Sequence, residues 1–279
     1  MHTGLTFVSD VLKDRAALVT GGGTGICRGI ALALAAHGCH VAITSRSLDH
    51  LTPTADEITR AGVQAIAVAA DVRDAKAMDT VVAATVSKFG RLDILVNGAA
   101  GNFVCRAEDL SPNGFGTVID IDLKGTFHAS RAAFPHLKVR GGAIVNISAT
   151  LHYLGTIGQA HASAAKAGVD ALTRNLAVEW GPYGIRVNGV APGPTDGTEG
   201  VRRLTTGAAL DAVTRQCPLG RMASIDDVAN SVLFLTSPAA SFVTGVTLVV
   251  DGGLWLRSAR IAQPSGEDTA HNVNAGSVT

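Results

Sequence analysis

Apolar residues in this chain gather in short continuous runs, at 16–19, 40–46, 65–72, 92–97, 143–148, 185–190 and 246–250. Strands that alternate face by face have one wet side, whereas runs this unbroken are expected of strands covered on both faces, hence of a parallel sheet. Between the runs lie stretches with helical periodicity, at 30–36, 48–61, 75–89, 114–139, 162–180 and 224–235. Pro53 falls where a first helical turn tolerates it. Gly181-Pro182 stops the fifth helix, and Ser224-Ile225-Asp226-Asp227 reads as the capped start of the sixth. Alternation of this kind predicts right-handed crossovers and one doubly wound α/β Rossmann domain, a seven-stranded parallel sheet with helices on both faces. Its span is 1–256, with irregular loops at 98–113 and 151–161 and a polar, weakly periodic insertion at 195–221 expected to act as a lid over substrate. Residues 257–279 form a polar tail, expected to be flexible.

The turn after the first run is Thr20-Gly21-Gly22-Gly23-Thr24-Gly25-Ile26-Cys27. Strand, glycine-rich turn and helix in that order place free N–H groups and a positive helix end where a pyrophosphate binds. Gly21, Gly23, Thr24, Gly25 and Ile26 are therefore cofactor candidates. In an open α/β sheet, ligands bind beyond the carboxyl ends of the strands at the switch point. The loops after Val19, Ile43, Val68, Val96, Ile147 and Val190 should then share one crevice. The second strand ends in Ser45-Arg46, with a basic residue where an acidic one would hold the ribose of NAD. Arg46 suits the 2′-phosphate of NADP(H), with Ser45 and Ser47 adding hydrogen bonds.

Composition narrows the function by exclusion. Lys and Arg total 23 and Asp and Glu total 23 over 279 residues, so no global field recruits nucleic acid or an anionic membrane. Hydrophobic residues make up 47% and charged ones 16%, which points to a large core and contacts between subunits. Cys27, Cys39, Cys105 and Cys217 lack metal-ligand spacing, as do the histidines, so no metal is expected. No apolar run is long enough to span a bilayer. Neither end reads as a secretory, transit or peroxisomal address, which by itself favours the cytoplasm.

Seven pieces in order carry a resemblance over about residues 12–256: Thr20–Gly25, Asp71-Val72, Asn97-Gly98-Ala99-Ala100, Asn146-Ile147-Ser148, Lys166, Pro192-Gly193-Pro194 and Val250-Asp251-Gly252-Gly253. Together they resemble the short-chain dehydrogenase/reductases. Cys27 stands where that family has its last motif glycine. Three catalytic positions also depart from the pattern: the family's serine falls at Ala149, its tyrosine at Ala162 and its helix asparagine at Asp122. Reduction of a ketone leaves an alkoxide that needs a proton donor, and alanine has none. One branch lacks the tyrosine, the 2,4-dienoyl-CoA reductases of the peroxisomal type. The chain is similar to it at Asn97–Phe103, Asp120–Asp122, Ser148–Leu151, His161–Lys166, Leu176–Pro182 and Pro192–Gly200.

That resemblance implies NADPH-dependent reduction of 2,4-dienoyl-CoA to 3-enoyl-CoA in fatty-acid β-oxidation. Hydride reaches a conjugated carbon, the charge spreads to the thioester oxygen, and carbon is protonated afterwards. Lys166 is expected to hold the nicotinamide ribose and put positive charge near the enolate. Asp122 is the candidate acid or water-positioning group, and Asp251 a further helper in protonation, set against a plain turn role. Asp71 and Val72 are expected at the adenine, Asn97 beside the cofactor, and Pro192, Gly193, Thr195 and Thr198 around the nicotinamide. Phe103, Ser111, Pro112 and Asn113 are candidate acyl-CoA contacts, as are Arg73 and Arg203 for its phosphates, with Arg202 able to replace Arg203. His152 and Tyr153 are read as surface or substrate-lining residues. The resemblance further implies a homotetramer built on helices 114–139 and 162–180, and a peroxisomal setting. Two other readings stand beside this one: another enoyl-thioester reductase, or a non-catalytic NADP-binding sensor or scaffold.

Overall fold

In the computed structural model, residues 7–204 and 207–256 are described, without the side chains of 202–211. The expectations for Arg202 and Arg203 and for the 257–279 tail lie outside the described residues. Strands β1 (Ala16–Thr20), β2 (His40–Ser45), β3 (Ala65–Ala69), β4 (Ile94–Asn97), β5 (Gly142–Ile147), β6 (Ile185–Pro192) and β7 (Thr247–Val250) form one parallel sheet in the order β3-β2-β1-β4-β5-β6-β7. The order reverses between β1 and β4, which is where sheets of this kind bind their ligands.

The unbroken apolar runs have a direct physical cause: alternate side chains of one strand feed two separate cores. Ala17, Val19, Val41, Ile43, Ile94, Val96, Val145 and Ile147 pack with helices α1 (Gly25–Ala36) and α9 (Ile225–Thr236) on one face. Leu18, Ala42, Leu95, Ile144 and Val187 pack on the other with α3 (Ala75–Phe89), α5 (Gly125–Leu137) and α6 (Ala160–Trp180). None of the described helices is long and apolar enough to cross a membrane.

Four local expectations change. The helix expected at 114–139 begins at α4 (Pro112–Val118), with Ser111 accepting from the Gly114 amide, and then widens into a π-helical stretch, Ile119–Lys124, before α5. Pro53 lies in the second turn of α2 (Leu48–Arg60), not the first, on its exposed side where no tertiary contact depends on the missing N–H. Strand β6 runs on through Pro192, because the pairing to β7 continues past it, with the Gly193 amide donating to the Val250 carbonyl at 2.9 Å. The segment 195–221 is largely helical, with α7 (Glu199–Leu204) and α8 (Gly207–Gln216). It is tied back at its base by a bridge between Thr195 and Ala223.

Candidate active site

The glycine turn closes over the switch point. Gly21 adopts φ +72° and lies 3.1 Å, measured from where its Cβ would be, from the backbone of Ala99, so a side chain there would collide with the β4 loop. Thr20 locks the same two loops together: its Oγ1 accepts from the amides of Gly98 at 3.0 Å and Ala99 at 3.2 Å. Cys27 occupies the family's glycine position without opening a gap, because its Sγ fills the space left by the missing Cβ of Gly98. Burial pushes that thiol up to about 12 against the pull of Lys166, which makes it a packing group rather than a nucleophile.

These residues fit a dinucleotide. Thr24, exposed, makes no side-chain cap on α1, and the first turn of that helix holds no acidic residue. Its leading amides are therefore free to receive a phosphate. Arg46 is exposed at the end of β2 and acts on Asp71 across the neighbouring strand end. Arg73, the candidate CoA contact, grips Asp71 with bonds of 2.6–3.0 Å. That grip holds the Asp71 carboxyl below its ordinary range despite partial burial, and Arg46 adds to it. Asn97 is buried and donates to Ser130 Oγ at 3.0 Å and Asn146 Oδ1 at 2.8 Å, stitching β4, β5 and α5 beside the crevice. Gly193 lies against Asp251, Thr195 Oγ1 donates to the Gly193 carbonyl at 3.0 Å, and Thr198 Oγ1 to that of Thr195 at 2.7 Å, giving the Pro192–Thr198 loop a rigid inner edge.

Lys166 and Asp122 meet at the centre. The Lys166 Nζ donates to the Ile147 carbonyl at 2.9 Å and lies 3.2 Å from Asp122 Oδ2, with side chains 10% and 2% exposed. Asp122 Oδ1 accepts from the Gly101 amide at 2.7 Å. Both carboxylate oxygens therefore accept, which suits orienting a lysine or a water. The π-helical stretch turns Asp122 inward between the partly buried Ile121 and Leu123, and α6 brings Lys166 from the other side. Ala162, one turn before Lys166, is buried against Val118. Ser148 Oγ, next to Ala149, is buried with no partner among the described residues.

A second cluster was missed by sequence reasoning. Asp170 lies one turn beyond Lys166 on α6, 4% exposed, and its Oδ2 accepts from His152 Nε2 at 2.8 Å and from the Tyr153 hydroxyl at 3.2 Å. Its Oδ1 and His152 Nδ1 have no partner among the described residues. His152 and Tyr153 are thus anchors of a buried carboxylate, not free lining residues. Burial, with Asp170 beside it, pushes the Tyr153 phenol up to about 12. The available signal was an acidic residue four positions after Lys166 in an Ala-rich stretch of the helix. Tyr153 stacks on Trp255 with ring centroids 5.2 Å apart, and the Trp255 amide donates to Asp251 Oδ2 at 2.8 Å. Asp251 Oδ1 accepts from Gly253, so both its oxygens cap the turn after β7. At the rim, Phe103 is partly exposed and lies 4.4 Å from the fully buried His161 ring, while Ser111, Pro112 and Asn113 are exposed at the start of α4.

Residues 21–255 match the family model described as enoyl-(acyl carrier protein) reductase. The chain belongs to the short-chain dehydrogenase/reductase family. It is 49% identical to the peroxisomal 2,4-dienoyl-CoA reductase [(3E)-enoyl-CoA-producing] of Pongo abelii over 90% of this chain and 87% of the relative. It is 41% identical to a probable 2,4-dienoyl-CoA reductase [(2E)-enoyl-CoA-producing] of Bacillus subtilis over 88% and 98%. Among solved structures, a putative short-chain alcohol dehydrogenase from Sinorhizobium meliloti superposes with a TM-score of 0.83 at 35% identity, over 88% of this chain and 98% of that one. A citronellol catabolism dehydrogenase from Pseudomonas aeruginosa superposes at 0.80 and 37%, over 90% and 98%. For a short-chain dehydrogenase/reductase, the alanines at 149 and 162 are departures at the two positions that handle the substrate oxygen.

Proposed function

We propose that this protein is an NADPH-dependent 2,4-dienoyl-CoA reductase that forms 3-enoyl-CoA. The observation that carries the reading is the buried Lys166–Asp122 pair standing in a crevice where positions 149 and 162 offer no hydroxyl. A site of that kind can stabilise an oxyanion that stays delocalised, but it has no acid placed to protonate an alkoxide. NADPH, when bound, supplies hydride to the conjugated carbon farthest from the thioester.

The cofactor's pyrophosphate would rest on the uncapped start of α1 within Gly21–Ile26, its 2′-phosphate on Arg46 and Ser45, its adenine by Asp71 and Val72, and its amide end within the Pro192–Thr198 loop. Lys166 binds the ribose hydroxyls and supplies positive charge for the developing dienolate. Asp122 holds the lysine in place and orients the water that carries the proton to carbon. Phe103 and the Ser111–Asn113 turn form the acyl-CoA rim. Arg73 reaches CoA phosphates only by sharing itself with Asp71. Asp251 supports Trp255 and, through it, Tyr153. Similarity to peroxisomal reductases favours that compartment, and the exposed apolar side chains of α5 and α6 favour a homotetramer.

Purified protein mixed with NADPH and a 2,4-dienoyl-CoA is expected to consume NADPH, and mass spectrometry with NMR of the product to show the 3-enoyl thioester. Cofactor binding without turnover on any dienoyl or enoyl thioester would overturn the reductase reading and leave a cofactor-binding sensor.

A further inference from the structure

At the opposite pole of the sheet, the loops leading into β1, β4, β5 and β6 surround a pocket of about 750 Å³. Six strand residues at about 3.3 Å each put it on the order of 20 Å from the catalytic crevice. Its volume is in the range that takes a small ligand. Arg15, Arg91, Arg140 and Arg186 line it, against a single carboxylate, Asp93. In a chain with 23 basic and 23 acidic residues, that is a local concentration of positive charge.

The four arginines are not equally satisfied. Arg91 pairs with Asp93 at 2.6 Å, and Asp14 also acts on it. Arg186 is partly buried, and its guanidinium donates to main-chain carbonyls: Leu235 at 2.7 Å, with Val243 and Ser237 at 3.4 Å. Burial, and then Arg15 beside it, hold its pKa below the ordinary value. The side chains of Arg15, half-buried, and Arg140, exposed, make no hydrogen bond or ion pair among the described residues. Carbonyls satisfy donors but do not neutralise charge, so a partly buried guanidinium beside a second one lacks a counter-ion. Guanidinium groups in such a cluster match phosphate oxygens. Phe242, fully exposed, stands at the rim as a flat apolar face.

We propose that this pocket is a second ligand site, separate from the reductase crevice, for a phosphorylated small molecule of nucleotide size. Its phosphates bind Arg15 and Arg140 in the field of Arg186, and its ring stacks on Phe242. The site is independent of the dienoyl-CoA reading.

The test is calorimetry on the full-length chain saturated with NADP⁺, so that the crevice is occupied, using sodium tripolyphosphate and ATP at matched ionic strength. Both probes are expected to bind at one per chain, and the Arg15→Gln/Arg140→Gln variant to weaken both by about tenfold or more. Arg186 is left intact because its carbonyl partners end α9. Failure of either probe to bind wild type, or unchanged binding in the double variant with normal NADPH affinity, overturns the site. ATP binding more tightly than tripolyphosphate, with the gain lost in Phe242→Ala, supports stacking. Equal affinities of the two probes overturn the part given to Phe242.

Discussion

Asp122→Asn removes one negative charge from the site while keeping the side chain's shape. The buried Lys166 then loses its counter-charge, and the water proposed to be oriented by Asp122 loses a charged acceptor. Turnover should fall about 10²-fold or more with NADPH affinity nearly unchanged, since the Asp122 oxygens face Gly101 and Lys166 rather than the phosphate turn. Steady-state kinetics beside an NADPH fluorescence titration separate the two effects, and unaffected turnover would remove Asp122 from the mechanism. A second residue-scale expectation concerns Arg46. Arg46→Ala should raise the KM for NADPH by about one to two orders of magnitude while NADH kinetics stay put, because one charge-assisted phosphate contact is lost. Cys27 and Gly98 form a complementary pair. Gly98→Ala drives a methyl into the Cys27 sulfur and should cost about 1–3 kcal/mol in denaturant unfolding. Adding Cys27→Gly should recover most of it, and purely additive effects would show that the two do not share that space.

At the scale of elements, α6 and the loop after β5 are joined through Asp170. The Tyr153 phenol is held neutral well past its usual range, at about 12. For an acid whose folded pKa is raised, the contribution to stability is complete below the unfolded value near 10 and is lost as pH rises through 12. Wild type should therefore lose stability between pH 10 and 12 more steeply than Tyr153→Phe, as read from urea midpoints across that window. Matching slopes would detach the phenol from Asp170. The start of α9 is secured differently: Ser224 Oγ accepts from the Asp227 amide at 3.1 Å while Asp227 accepts from the Ser224 amide at 2.7 Å. Ser224→Ala should cost about 1 kcal/mol with kcat unchanged, because α9 covers the face of the sheet away from Lys166. Strand positions were legible from the sequence because buried parallel strands leave unbroken apolar runs. The widening of the helix at Ile119–Lys124 was not. A π turn leaves no periodic mark in so few residues, and it is maintained by packing such as that of Leu123 against Gly168.

For the whole molecule, exposed apolar side chains on α5 and α6, Phe127 and Val178 among them, lie on the two helices proposed to carry the homotetramer contacts. Sedimentation should give a mass near four times the 28.5 kDa chain. Phe127→Glu/Val178→Glu should lower it, and a single-chain mass for wild type would exclude the tetramer. The sequence by itself determined the parallel α/β domain, the glycine turn after its first strand, the basic residue at the end of its second and the absence of hydroxyl acids at 149 and 162. Each of these depends on residue type at a local spacing. Only the tertiary structure decided that Asp122 faces Lys166, that Asp251 caps its own turn, that His152 and Tyr153 converge on Asp170, and that four arginines gather at the far end of the sheet. Those arrangements join residues far apart in the chain or set the direction of a side chain, and burial, which no single residue encodes, is what makes their charges matter.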